Sequence, residues 1–227
     1  MRITASLHKR SVGVVTPRNK KQGAYIKHLE DPSKYIVVAS GHAGCGKSML
    51  ATAVGINKMN SGAAKKLVLT RPAVCVEEQH GFLPGTLEQK MEPWTRPLFD
   101  VLEKYYTVHD IETMMKKRII EICPLAFMRG RTFEDAWIIC DEAQNCTPNQ
   151  MLMVLTRIGK NSKIVVTGDP FQHDRGFDAN GLCDFVQRCK GIPSDHVALV
   201  EFEHEDVERH EIIPHVLNMY TDCSYPR

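Results

Sequence analysis

One stretch of the chain joins small residues, a cation and a hydroxyl at a spacing suited to a single kind of chemistry: Gly41-His42-Ala43-Gly44-Cys45-Gly46-Lys47-Ser48. It satisfies the pattern G-x-x-x-x-G-K-[ST] and lies between a β-branched run and a stretch with helical spacing, which is the context the pattern requires. Glycines let the backbone wrap with its N–H groups pointing inward. The N-terminus of the following helix adds partial positive charge, so the loop can cradle phosphates. On this reading the segment from Gly41 to Met49 binds ATP, Lys47 reaches the β- and γ-phosphates, and Ser48 ligates Mg2+. His42 contributes its backbone. The alternative is a glycine-rich turn that only connects strand to helix.

Two further stretches carry chemistry at the ends of apolar runs. Trp137-Ile138-Ile139-Cys140 leads into Asp141-Glu142, the way a Walker B strand presents an aspartate to the magnesium shell. Asp141 takes that role. Glu142, one residue on, could accept a proton from an attacking water as a general base, which favours hydrolysis over transfer to a second substrate. Its other reading is an acid that complements a helix N-terminus. Ile164-Val165-Val166-Thr167 leads into Gly168-Asp169-Pro170-Phe171-Gln172, where an amide could orient water or sense a γ-phosphate, or simply bond within a turn.

These residues need strands that end side by side. Short β-branched runs at 35–39, 67–70, 137–140, 163–167 and 197–202, with a further one at 119–123, alternate with helical spacing at 47–58, 86–104, 108–117, 148–158 and 182–190. Alternation of this kind predicts an α/β fold, a mainly parallel sheet flanked by helices on both faces. Pro93 and Pro97 should kink or divide the second helical stretch. No internal repeat or low-complexity linker interrupts the pattern.

A chain of 227 residues can bury one sizeable core, and its 43% apolar and 25% charged composition is that of an ordinary folded protein. The reading is one domain over 16–222, a basic, flexible segment over 1–15 and a tail over 223–227. No run approaches the ~20 apolar residues of a membrane span, and the basic start lacks the apolar segment of a signal peptide. A cytoplasmic protein is expected. The eight cysteines form no C-x-x-C pair and read as reduced thiols, with no structural metal. The net charge of +2 hides an asymmetry: no acid precedes Glu30, whereas Glu201, Glu203, Glu205, Asp206, Glu208 and Glu211 surround Arg209. Two solvated ends, or a basic arm facing a polyanion, both fit.

Taken together the motifs resemble those of the PhoH-like ATPases, whose core is related to the N-terminal motor domain of superfamily 1 helicases, a RecA-like P-loop NTPase. The segments 69–74, 81–85, 124–132, Asp141-Glu142-Ala143-Gln144-Asn145, 169–174 and 206–210 follow one another in the family order, over about 16–220. The resemblance implies that Gln172 senses the γ-phosphate, that Arg71 sits in a motif linked to nucleic-acid contact, and that Gln22 reads adenine. Asp174 matches the end of the family's Q-x-D. The chain has the length of the ATPase core alone, similar to phage-encoded family members, which would place it in a host cytoplasm.

A superfamily 1 helicase completes its site with an arginine from a second motor domain. Here a neighbouring subunit in a head-to-tail ring, a hexamer by the resemblance, could supply it. Arg129, Arg131 and Arg209 are the candidates, with Arg157 behind them, although the acids around Arg209 could equally hold it in a local ion pair. Two outputs follow. The first is coupling to RNA or single-stranded DNA through Arg71, Arg129, Arg131 and the basic start. The second is a nucleotide-gated assembly module with no nucleic-acid coupling. A small-molecule kinase is the weaker third, since Glu142 and the third motif favour water as acceptor.

Overall fold

The computed structural model describes residues 13–72, 96, 98–172, 180–208 and 212. Six strands, β1 (Ile36–Gly41), β2 (Lys66–Thr70), β3 (Ile120–Ile122), β4 (Ala136–Cys140), β5 (Lys163–Gly168) and β6 (Val197–Phe202), form one sheet in the order β3-β2-β4-β5-β1-β6. Every pairing is parallel. The helices that accompany them among the described residues include α1 (Lys20–Glu30), α2 (Lys47–Asn60), α3 (Val108–Lys116), α4 (Pro148–Leu155) and α5 (Gly181–Gly191).

A parallel sheet covered on both faces buries its inner strands, which is why β1, β2, β4 and β5 read as nearly unbroken apolar runs, while the edge strands β3 and β6 carry Glu121 and the exposed Glu201. Alternate side chains then divide between two cores. Val37, Ala39, Leu67, Leu69, Trp137, Ile139 and Val165 join Tyr25 and Leu29 of α1, Leu50 and Val54 of α2, and Ile111 and Met114 of α3. Val38, Val68, Ile138, Cys140, Ile164 and Val166 join Met151 and Val154 of α4 and Leu182 and Val186 of α5. Helix α2 can lie close to the sheet because Gly55 has no side chain: a Cβ there would come within 2.6 Å of the Trp137 ring. The Trp137 indole N–H in turn donates to the carbonyl of Ala51 at 3.1 Å.

All six expected strands are present, each within a residue or two of its sequence boundaries. Helix α1 was not among the expected helical stretches. Asn19 caps it, accepting from the Gln22 N–H at 2.8 Å. The Lys163 ammonium closes its other end by donating to the carbonyls of His28, Leu29 and Asp31. Helix α4 ends at Leu155 rather than at 158, because Ile158 is drawn into a parallel bridge with Phe133. Of the helical stretch expected over 86–104, residues 98–102 are helical and bury Leu98, Val101 and Leu102. Residues 86–95 and Pro97 of that stretch lie outside the described residues, as do residues 1–12 of the flexible start expected over 1–15 and the tail over 223–227.

Candidate functional site

Because β4, β5 and β1 are adjacent and parallel, their C-terminal ends bring the three chemistry-bearing segments together. Ligands of open α/β sheets collect at this edge. The loop leaving β1 turns on Gly44 (φ 96°) and Gly46 (φ 82°), a left-handed backbone region that glycine enters without strain. Gly41 is required for a second reason: a Cβ there would lie 2.2 Å from the carbonyl oxygen of Phe202 on β6.

Lys47, 7% exposed, donates to the carbonyls of Gly41 and His42, each at 2.7 Å. Burial pulls its ammonium below the ordinary lysine value, against the opposing charges of Asp169, Glu142 and Asp141. Asp141 follows the last residue of β4. Its Oδ1 accepts from the hydroxyls of Ser48 and Thr167, both at 2.6 Å. Thr167, fully buried near the end of β5, was not among the expected site residues. Its signal was there to use, a hydroxyl closing the third apolar run. This cluster of hard oxygen donors suits Mg2+, which takes one or two protein oxygens and fills its shell with phosphate and water.

Glu142 adopts a left-handed backbone conformation (φ 52°, ψ 42°) at the start of the short 3₁₀ turn Ala143–Asn145 and makes no side-chain capping bond there. Its carboxylate instead has two side-chain partners. Oε2 accepts from the Gln144 amide at 2.6 Å, and Oε1 lies 3.6 Å from the Arg71 guanidinium. The family resemblance linked Arg71 to nucleic acid, whereas the structure sets it, 23% exposed, against Glu142. The turn after β5 is tied to the phosphate loop. Asp169 Oδ2 accepts from the Ala43 N–H and Oδ1 from the Phe171 N–H, both at 3.0 Å. The Phe171 ring stacks on His42 at 5.0 Å between centroids.

These groups border a cleft of about 300 Å3. Its lining includes Lys47, Ser48, Asp141, Glu142 and Gln172 together with Arg18, Gln22, Met49 and Glu208. Gln22 is only 1% exposed. Its amide oxygen accepts from the Arg18 N–H at 2.8 Å, and its amide nitrogen donates to the carbonyl of Cys45 at 3.1 Å. It thus braces the loop from α1 as well as bordering the cleft. Glu208, whose N–H donates to the Gly44 carbonyl at 3.1 Å, joins the wall from beyond β6.

The candidate arginines fare differently. Arg131 pairs with Glu121 on β3 and stands 4.5 Å over the Phe133 ring. Arg157 donates to the carbonyls of Met153 and Arg131. Arg129 is exposed. Arg209 and Asp174 lie outside the described residues.

The loop, the aspartate-terminated strand and the parallel sheet define an α/β P-loop NTPase fold. The family model described as PhoH-like protein matches residues 14–221, and the chain belongs to that family. The PhoH-like protein of Bacillus subtilis (strain 168) is 40% identical over 220 residues, covering 96% of this chain and 66% of the relative. Protein PhoH of Escherichia coli (strain K12) is 37% identical over 216 residues, covering 93% and 60%. The chain thus spans 60–66% of the length of these relatives. Among solved structures, the large terminase from a thermophilic bacteriophage superposes with a TM-score of 0.56 at 11% identity, over 89% of this chain and 50% of the terminase, a likeness of fold. No helix among the described residues is long and apolar enough to cross a membrane.

Proposed function

We propose that the cleft binds ATP with Mg2+ and hydrolyses it. The observation that carries this reading is the convergence of Ser48, Asp141 and Thr167 within 2.6 Å hydrogen bonds, beside Lys47 and Glu142. Ser48 and Asp141 would hold the Mg2+, which when bound neutralises phosphate charge. The backbone N–H groups of the glycine loop and the start of α2 bind and orient the phosphates. Lys47 exchanges its loop carbonyls for phosphate oxygens. Glu142, aimed by Arg71 and Gln144, accepts the proton of the attacking water. Gln172 reports the loss of the γ-phosphate. Gln22 with Arg18 and Glu208 forms the part of the cleft left for the adenosine end.

Hydrolysis in turn drives work on RNA or single-stranded DNA, with exposed Arg129 as the leading contact, and a neighbouring subunit in a ring completes the site with an arginine. The test is phosphate release by the full chain, with and without RNA and DNA single strands, across a salt series. Stimulation by one strand type that fades with salt supports the coupled reading, because phosphate contacts release counterions. Steady turnover indifferent to both strands, together with nucleotide-dependent assembly, replaces it with the assembly-module reading. Brisk turnover by a monomer removes the subunit-supplied arginine.

A further inference from the structure

Gln144 is 1% exposed, and its motif position carried no chemical assignment. The amide nitrogen donates to Glu142 Oε2 at 2.6 Å and to the Gln172 carbonyl at 3.1 Å. The amide oxygen accepts from the Asp169 N–H at 3.1 Å. One side chain therefore joins the residue expected to activate water to both ends of the 169–172 turn, using both donors and an acceptor position of the amide. The approach is close enough to exclude a side chain nearby: a Cβ on Gly168 would lie 2.5 Å from Gln144 Oε1. The turn is fixed at its other side, where Asp169 accepts from Ala43 in the phosphate loop.

We infer that Gln144 is a positioning residue that couples the turn carrying Gln172 to the carboxylate of Glu142, so that a shift of that turn re-aims the base. This rests on the proposed roles of Glu142 and Gln172. The amide suits the task because it donates and accepts at once. A glutamate would keep the acceptor for Asp169 but lose both donors and set a like charge against Glu142, and a leucine would lose all three bonds. In a buried setting such a linked set acts as a unit, since each bond polarises the next.

Gln144→Leu and Gln144→Glu are assayed for phosphate release and for MgADP affinity. The coupling predicts a kcat loss of about 10- to 100-fold, the scale seen when a partner that orients a metal-ligating side chain is removed, with MgADP affinity retained. It also predicts non-additivity: Gln172→Ala costs less in the Gln144→Leu background than in the parent. An unchanged kcat, or two losses that multiply in full, overturns it. A readout independent of the Gln144 variants is amide hydrogen exchange in Glu142→Ala, a substitution at a partly exposed position. Loss of the Glu142 acceptor should loosen Gln144 and speed exchange at the Asp169 N–H. Unchanged exchange there overturns the coupling, even if the Gln144 variants fail to fold. A parent protein that binds MgADP but releases no phosphate sinks the hydrolysis reading, and the Asp169 exchange then decides the coupling alone.

Discussion

Two buried lysines sit at opposite edges of the same sheet, and each binds main-chain carbonyls. Lys47, 7% exposed, follows β1 at the C-terminal edge and uses two of its three donors on the loop that carries it. Lys163, 9% exposed, opens the neighbouring strand β5 at the other edge and spends all three donors on the end of α1. The carboxylates of Asp141, Glu142 and Asp169 act on Lys47. Around Lys163, burial and the charge of Lys58 pull the ammonium down to about 8, with Asp31 opposing. Burial and carbonyl bonds therefore do not by themselves mark a catalytic cation. What separates the two is the company: Lys47 lines a cleft with hydroxyl and carboxylate oxygens, and Lys163 fastens a helix whose Gln22 braces the phosphate loop.

The sharpest way to break this contrast is to remove each cation. Lys47→Ala should lower phosphate release by about 10²- to 10³-fold, the scale of losing one charge-stabilising donor, while the melting temperature holds or rises. Lys163→Met should do the reverse. It leaves the carbonyls at the end of α1 without their donor, at a cost of about 2 kcal/mol in urea unfolding, with turnover little changed. Equal losses of activity in the two variants would erase the distinction.

A smaller effect tests the oxygen cluster beside Lys47. Thr167→Val removes one of the hydroxyls on Asp141 while keeping shape, and should raise the Mg2+ concentration needed for half-maximal turnover by about tenfold. The same substitution should leave urea stability closer to the parent than Lys163→Met does. An unaltered Mg2+ requirement would place Thr167 in the core alone.

The smallest effect is a slope. The folded Lys163 value of about 8 lies below the ordinary 10.5, so between these pH values the unfolded chain binds more protons than the folded one. Stability from this group should therefore rise with pH across that window. This contribution should be absent from Lys163→Met, so the difference between the parent and variant slopes in urea titrations at intervals from pH 8 to pH 10.5 reads it, apart from the thiols and tyrosines that titrate in both proteins. Equal slopes in the two proteins assign the dependence to other groups.

The sheet and the phosphate loop were legible because their signals are local. Fully buried parallel strands are continuous apolar runs, and the loop's glycines stand in sequence beside the lysine and serine they serve. Helix α1 was missed because its first turn, Lys20-Lys21-Gln22-Gly23, is polar and carries a glycine, so only the Asn19 cap and the grouping of Tyr25, Ile26 and Leu29 marked it. Its far end depends on Lys163, which is far away in sequence. The partners of Glu142 illustrate the same limit. Arg71 reaches it only because β2 and β4 are neighbours, and Gln144 gains meaning only when the end of β5 is laid beside it. Strand order, not residue type, creates those contacts.

Titration calorimetry of the full chain with ATP and Mg2+, run beside Lys47→Ala, tests the central claim most directly. Saturable heat in the parent that disappears in the variant is the predicted result. A parent that gives no heat of binding, or a variant that binds as well as the parent, would contradict the assignment of this cleft.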